Sequence, residues 1–331
     1  MALLRFLRNW TLPVSMLAGV CAYFMVAGCP ALLPFKSCIL RAIGVVQPLL
    51  IFAMLFISFC KVEPGDLKFR PWHAWLLLLQ SSVFAVLCGW IMLMPHSHWR
   101  IVIEGAMLCM ICPTATAATV VTGKLGGNAG TLTTYTILVN LAVALLVPAF
   151  IPLVHPSAEM GFVRSFWLII CKVFPLLFCP FLLALLVRRM SRRAIACITS
   201  VRDLAFYLWA VSLALAIAVT TRSIVHSTCP LVYQAGIALA SLVACIVQFA
   251  FGRWIGCKYG EPISAAQACG QKNTVFAIWM GYTFLTPVTS IAGGFYSVWH
   301  NVFNSWQLYQ QRKHGGDSYT LGTDKAINLS A

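Results

Sequence analysis

Ten apolar stretches, separated by proline, glycine or charge, constrain this chain more than any other feature. They run near 10–28, 40–60, 72–94, 101–123, 129–154, 164–187, 203–221, 231–252, 262–285 and 289–308. A helix that crosses a bilayer needs about 20 apolar residues, so ten of them occupy roughly 200 residues. The connections that remain are too short for a second folded domain. Of the 331 residues, 60% are hydrophobic and 9% are charged, against about 25% charged in a soluble domain. The expectation is an all-α polytopic membrane protein with ten transmembrane helices.

The net charge is +15, from 23 Lys and Arg against 8 Asp and Glu. In a soluble protein that balance points to nucleic acid, but here the basic residues sit at the ends of apolar stretches, where they set topology. Arg5 and Arg8, Lys61, Lys68 and Arg70, Lys124, Arg188 to Arg202, Arg253 and Lys258, and Arg312 and Lys313 fall on one side of a ten-span arrangement. Lys36 and Arg41, Arg100, Arg164 and Arg222 fall on the other. The heavier side is expected in the cytoplasm, which places both termini there and the protein in the cell membrane. No nucleic-acid partner is expected. Of the 14 Cys, Cys109 and Cys112 have CxxC spacing inside an apolar run and the others lie singly; they are expected to be small buried hydrophobes rather than a disulfide framework or a metal site. Val26-Ala27-Gly28-Cys29 resembles a lipoprotein cleavage box. Removal there would leave nine spans and break the charge alternation, so an ordinary first helix is expected.

Two stretches are not uniformly apolar. The fourth contains Cys112-Pro113-Thr114-Ala115-Thr116-Ala117-Ala118-Thr119, and the ninth contains Ala268-Cys269-Gly270-Gln271-Lys272-Asn273-Thr274. A Lys at mid-span costs about 2.5–3.5 kcal/mol on the lenient insertion scale. Helix breakers and hydroxyls are tolerated where backbone faces protein or a water-filled cavity. These stretches hold matching places, fourth of the first five and fourth of the last five. Five spans per half make the second half enter from the opposite side, which is the arithmetic of an inverted-topology repeat. The expected division is 1–155 for the first five-helix repeat, 156–310 for the second and 311–331 for a mobile, polar cytoplasmic tail. A polar helix-packing seam is the competing reading of the two stretches.

Cys112-Pro113-x-x-Thr116-Ala117-x-x-Val120 followed by Gly127-Asn128, Gly270-x-x-Asn273, and the loop Lys61-Val62-Glu63-Pro64-Gly65-Asp66-Leu67 are similar to motifs of the bile acid:sodium symporter family. The resemblance covers nearly the whole chain. It implies ten helices in two inverted five-helix repeats, a two-helix panel domain and a core domain. It also implies crossed, discontinuous fourth and ninth helices, with an organic anion bound between core and panel.

The departures from that pattern are specific. Sodium-using members carry a Ser-Asn pair where this chain has Ala118-Thr119, and hydroxyl residues near Leu132 and Thr136. They carry an acidic residue at the place of Ala268 and a Gln at the place of Lys272. Gln80, Thr119 and Thr136 still offer oxygens, whereas Ala118, Leu132 and Ala268 offer none from their side chains. By analogy with other hard cations, sodium needs several oxygen ligands. An ammonium about 4 Å from a sodium ion would be repelled by roughly 4 kcal/mol at an effective dielectric of 20. Lys272 is therefore expected to replace the ion, leaving sodium-independent uniport or exchange, or proton coupling if Lys272 titrates. The candidate binding residues are Gln80, Thr114, Thr116, Thr119, Thr136, Gln271, Lys272, Asn273 and Thr274, with helix breaks at Pro113 and Gly270.

Elsewhere, Glu104 is spaced to pair with Arg100, and Asp203 and Glu261 suit helix starts. His96 and His98 read as an outer loop rather than a metal site. Lys172 is a paired or snorkelling Lys or a contributor to an anion site. Asn140 is expected to hydrogen-bond across helices, and His300, Asn301 and Asn304 to form a buried polar cluster. The chain carries no GxxxxGK[ST], HExxH or GxSxG motif, so neither ATP drive nor enzymatic activity is expected. Three classes stay open: a secondary transporter of a small organic anion (bile-acid-like or a short carboxylate), which includes a sodium symporter with a remodelled ion site, a membrane sensor that lost coupling, and an intramembrane enzyme. The partners expected are the anion and the bilayer; oligomeric state is open.

Overall fold

A computed structural model describes residues 11–156, 160–201 and 204–327; the expectations on Arg5, Arg8, Arg202 and Asp203 fall outside them. Among the described residues there are fourteen α-helices and no β-strand. The first three apolar stretches are α1 (Thr11–Gly28), α2 (Lys36–Cys60) and α3 (Pro71–Leu93). The fourth divides into α4 (Arg100–Ile111) and α5 (Ala118–Lys124), and the fifth is α6 (Ala129–Val154). Then come α7 (Phe162–Leu177), α8 (Cys179–Met190), α9 (Arg192–Ser200), α10 (Leu204–Val225) and α11 (Leu231–Lys258). The ninth stretch divides into α12 (Pro262–Gly270) and α13 (Thr274–Phe284), and α14 (Ile291–Ile327) ends the described chain.

The helices α2, α3, α6, α10 and α11 are each long and apolar enough to cross a membrane, and α7 with α8 adds a sixth if that bent pair is one crossing. The chain is an all-helical, multi-pass membrane protein by that measure.

Three differences from the sequence expectation have local causes. The sixth stretch is not one helix but α7 and α8, bent by 42°. Pro180 near the start of α8 lacks the N–H that would bond back across the junction, and its ring crowds the carbonyl four residues earlier. The basic run after it holds a further helix, α9, because Ser191 accepts a hydrogen bond from the Ala194 amide at 3.2 Å and caps it. The polar stretch from Gln311, expected as a mobile tail, continues α14 to Ile327; it contains no proline to stop it.

Contacts sort the helices into two groups. In one, α10 packs on α1 and α2, while α2 packs on α7 and α8. This group draws on four stretches, two from each half, where the resemblance implied two helices. In the other, α11 packs on α4, α12 and α14, and α3 packs on α4 and α6. The α11–α12 contact is close because α11 presents glycine there: a Cβ at Gly252 would lie 2.5 Å from the Ala265 carbonyl oxygen. The groups meet where α6 packs on α7 and where α10 and α2 pack on α13.

Candidate functional site: the crossing of two broken helices

The break in the fourth stretch starts at Cys112-Pro113. Pro113 has no amide hydrogen, and Cys112 before it is extended (φ −53°, ψ 133°), as a residue preceding proline tends to be. The break in the ninth follows Gly270, where Gln271 is extended (φ −88°, ψ 94°). Asn273 then restarts the helix by accepting a hydrogen bond from the Phe276 amide at 3.1 Å. Gly270 is required sterically: a Cβ there would lie 2.3 Å from the Phe249 ring.

The two breaks lie against each other as a short antiparallel pair. The Ala115 amide donates to the Gln271 carbonyl at 2.8 Å, and the Asn273 amide donates to the Pro113 carbonyl at 2.8 Å. Thr114 and Lys272 are therefore directly opposed in a bridge. The Thr114 hydroxyl donates to the Ala268 carbonyl at 2.6 Å, and the Cys112 thiol to the Asn273 carbonyl at 2.8 Å. Each stretch thus satisfies backbone groups that the other's break would leave unpaired in a water-poor interior.

Lys272 is 1% exposed. Its Nζ donates to Gln80 Oε1 at 2.9 Å, and the Tyr135 hydroxyl donates to the same oxygen at 3.2 Å. Gln80 is held in turn, because its Nε2 donates to the Ile111 and Cys112 carbonyls at 2.8 and 3.2 Å. These are carbonyls freed where α4 ends. Among the described residues no carboxylate lies within ion-pair distance of Lys272. A buried ammonium held by a neutral amide keeps a strong attraction for a mobile anion. The end of α13 that starts at Thr274 adds partial positive charge beside it.

A Gln and a Tyr also serve the end of α12, with their roles exchanged. Tyr296 donates from its hydroxyl to the Gly270 carbonyl at 2.8 Å, and Gln248 Nε2 donates to the Tyr296 oxygen at 3.1 Å. Sequence reasoning missed Tyr135, Gln248 and Tyr296. The usable signal was polarity inside an apolar span, which applied to Gln248 as much as to Gln80.

Two carboxylates anchor the outer ends of the broken stretches. Glu104 accepts from Arg100 Nε at 2.8 Å, lies 2.9 Å from His155 Nε2, and accepts from the Thr289 hydroxyl at 3.0 Å. The Arg100 pair is the one its spacing predicted. Glu261 accepts from the Thr131 hydroxyl at 2.5 Å and pairs with Arg70 Nε at 3.1 Å. Cavities of about 350 and 200 Å³ lie beside Glu104 and Glu261, and neither is lined by a residue of the crossing.

The remaining candidates divide. Pro113, Thr114, Gly270, Gln271, Lys272, Asn273 and Gln80 are brought together as described, and Gln271 Oε1 is buried with no partner. Thr274 is buried beside them, its amide donating to the Lys272 carbonyl at 3.0 Å. Thr136 turns back on its own helix, donating to the Leu132 carbonyl at 3.0 Å. Thr116 and Thr119 are half-buried, with no side-chain hydrogen bond among the described residues. Asn140 does not make the cross-helix bond expected of it: both its amide atoms are buried without a partner. In the His300 cluster, Asn304 Oδ1 accepts from Gln267 Nε2 at 3.1 Å while His300 Nδ1 stays unpaired. His98 stacks on Tyr233 at 6.1 Å, and no group of three His, Cys, Asp or Glu side chains able to hold a metal is found among the described residues.

No protein-family model matches the chain, and no characterised protein matches it.

Proposed function

We propose that the chain is a secondary transporter of a small organic anion, working by alternating access, with the Lys272 ammonium in place of a co-transported sodium ion. The observation that carries this reading is the crossing itself, with a buried Lys272 bonded to Gln80 at 2.9 Å and, among the described residues, no carboxylate within ion-pair distance. Non-helical backbone at membrane depth is tolerated where it is buried in protein or lines a cavity, and crossed half-helices are a recurrent way to build a solute site. On this reading the chain is a divergent relative of the bile acid:sodium symporter family, with ten crossings in two inverted repeats and both termini in the cytoplasm.

Support for the repeat comes from how each half dresses its break. Gln80 and Tyr135 meet at the end of α4, and Gln248 and Tyr296 at the end of α12. Glu104 of the fourth stretch bonds Thr289 at the entry to the tenth, and Glu261 at the start of the ninth bonds Thr131 at the entry to the fifth. A two-fold relation between the halves would generate both coincidences. Support for the loss of sodium comes from the donor set. Gln80 Oε1 is occupied by Lys272 and Tyr135, and Ala118, Leu132 and Ala268 supply no side-chain oxygen, so the residues present do not fit a sodium site. That same loss favours a second reading, a sensor that retains the fold without transport.

The test is thermal unfolding of the purified chain in NaCl, KCl and choline chloride at equal ionic strength, alongside uptake by proteoliposomes. A ligand that binds only the folded state raises stability by RT ln(1 + [L]/Kd). Wild type is expected to be indifferent to sodium, and the Ala268→Glu/Lys272→Gln double variant to gain a sodium-specific shift. Sodium stabilisation of the wild type would remove the substitution. Uptake of no solute from a broad set of labelled carboxylates would favour the sensor.

A further inference from the structure

Two cations outside the crossing reach the same end of α13 from the other helix group. Lys172 lies in the interior of α7 with its side chain exposed. Its Nζ stands over the Phe284 ring, 5.8 Å from the centroid. Arg222 lies in the last turn of α10 and donates from Nη1 to the Tyr282 hydroxyl at 2.9 Å, while its Nε is buried without a partner. Tyr282 and Phe284 are the closing residues of α13. Neither cation forms an ion pair among the described residues, where the four ion pairs involve Arg70, Arg100, His155 and Arg188.

An exposed Lys within an apolar stretch is costly against lipid and is kept where it faces water or a partner. A ring face and a neutral hydroxyl are weak partners for full charges, and a carboxylate exchanges with them favourably. The free Nε of Arg222 and a terminal nitrogen beside it make the fork that grips both oxygens of a carboxylate. We propose that Lys172 and Arg222 are an anion-capture pair at the closing turn of α13, binding a carboxylate whose apolar body rests on the Phe284 ring. Its place on the route to the crossing depends on the transport reading above; the binding does not.

The probe is benzoate, with benzamide as its neutral counterpart, both tested as thermal stabilisers of the full chain in nanodiscs. Benzoate is supplied as the choline salt against choline chloride. Benzoate alone is expected to raise the unfolding temperature. The concentration giving half the effect should rise about tenfold or more in Lys172→Met and in Arg222→Gln. Lys172→Arg should retain the response, which separates lost capture from a damaged fold. A response that is equal in wild type and both charge-removing variants overturns the proposal, as does a wild type that benzoate does not stabilise. So does a response lost only in Lys272→Gln, since the anion would then sit at the crossing. Uptake of labelled benzoate by proteoliposomes reads the transport function separately: pair-dependent stabilisation without uptake keeps the capture site and removes transport of that anion.

Discussion

Lys272 and Gln80, 192 positions apart in the chain, share a 2.9 Å hydrogen bond at the point where two broken helices cross. Gln80 has a double task, since its amide nitrogen also closes the open end of α4 through the Ile111 and Cys112 carbonyls. The side chain that receives the buried charge thus also terminates the inbound half-helix.

That double task makes Gln80→Leu the most damaging single change at the crossing. It strands a buried ammonium, and losing a hydrogen bond to a charged group costs about 1.5–3 kcal/mol. Adding Lys272→Met should restore part of the loss, because the stranded charge goes with it. A double-variant cycle by chemical unfolding in nanodiscs is expected to give a coupling of at least about 1 kcal/mol. Simple additivity would mean that the two side chains act independently.

The two carboxylate anchors should differ in strength. The Glu104 side chain is 3% exposed, and its Arg100 partner 25%. The Glu261 side chain is 14% exposed, and its Arg70 partner 48%. Solvent screens the second pair more, so Glu261→Gln should cost under about 1 kcal/mol, against about 1–3 kcal/mol for Glu104→Gln. Unfolding of the two variants side by side checks the order, and equal losses would contradict it.

Gly270→Ala places a methyl group 2.3 Å from the Phe249 ring. Overpacking of this kind costs typically about 1–3 kcal/mol. Phe249→Leu in the same chain should recover much of that, since it removes the obstructing ring. If the single alanine variant unfolds like the wild type, the break tolerates more volume than this packing allows.

Much of this was legible in the residues because it follows from local rules. Each of the ten apolar stretches is helical over most of its described residues, because apolar runs that long have few other ways to satisfy their backbone in lipid. Pro113 and Gly270 marked the two breaks by what they cannot do as helix-interior residues. Glu104 announced its Arg100 partner by spacing alone. The bend at Pro180, the helix α9 and the extension of α14 were missed because single capping bonds and a single proline decide them.

The tertiary structure alone decided the partners. A sequence shows that Lys272 lies in an apolar run, but not that Gln80 accepts its hydrogen bond or that Thr114 faces it across a bridge. Those contacts depend on how two interrupted helices from different halves of the chain approach each other. The same holds for Lys172 and Arg222, which separate positions in the chain bring to one end of α13. Hydropathy and helix breaking act on neighbours along the chain and can be read from it. Pairing of buried polar groups acts through space, and only packing brings those groups within hydrogen-bond reach.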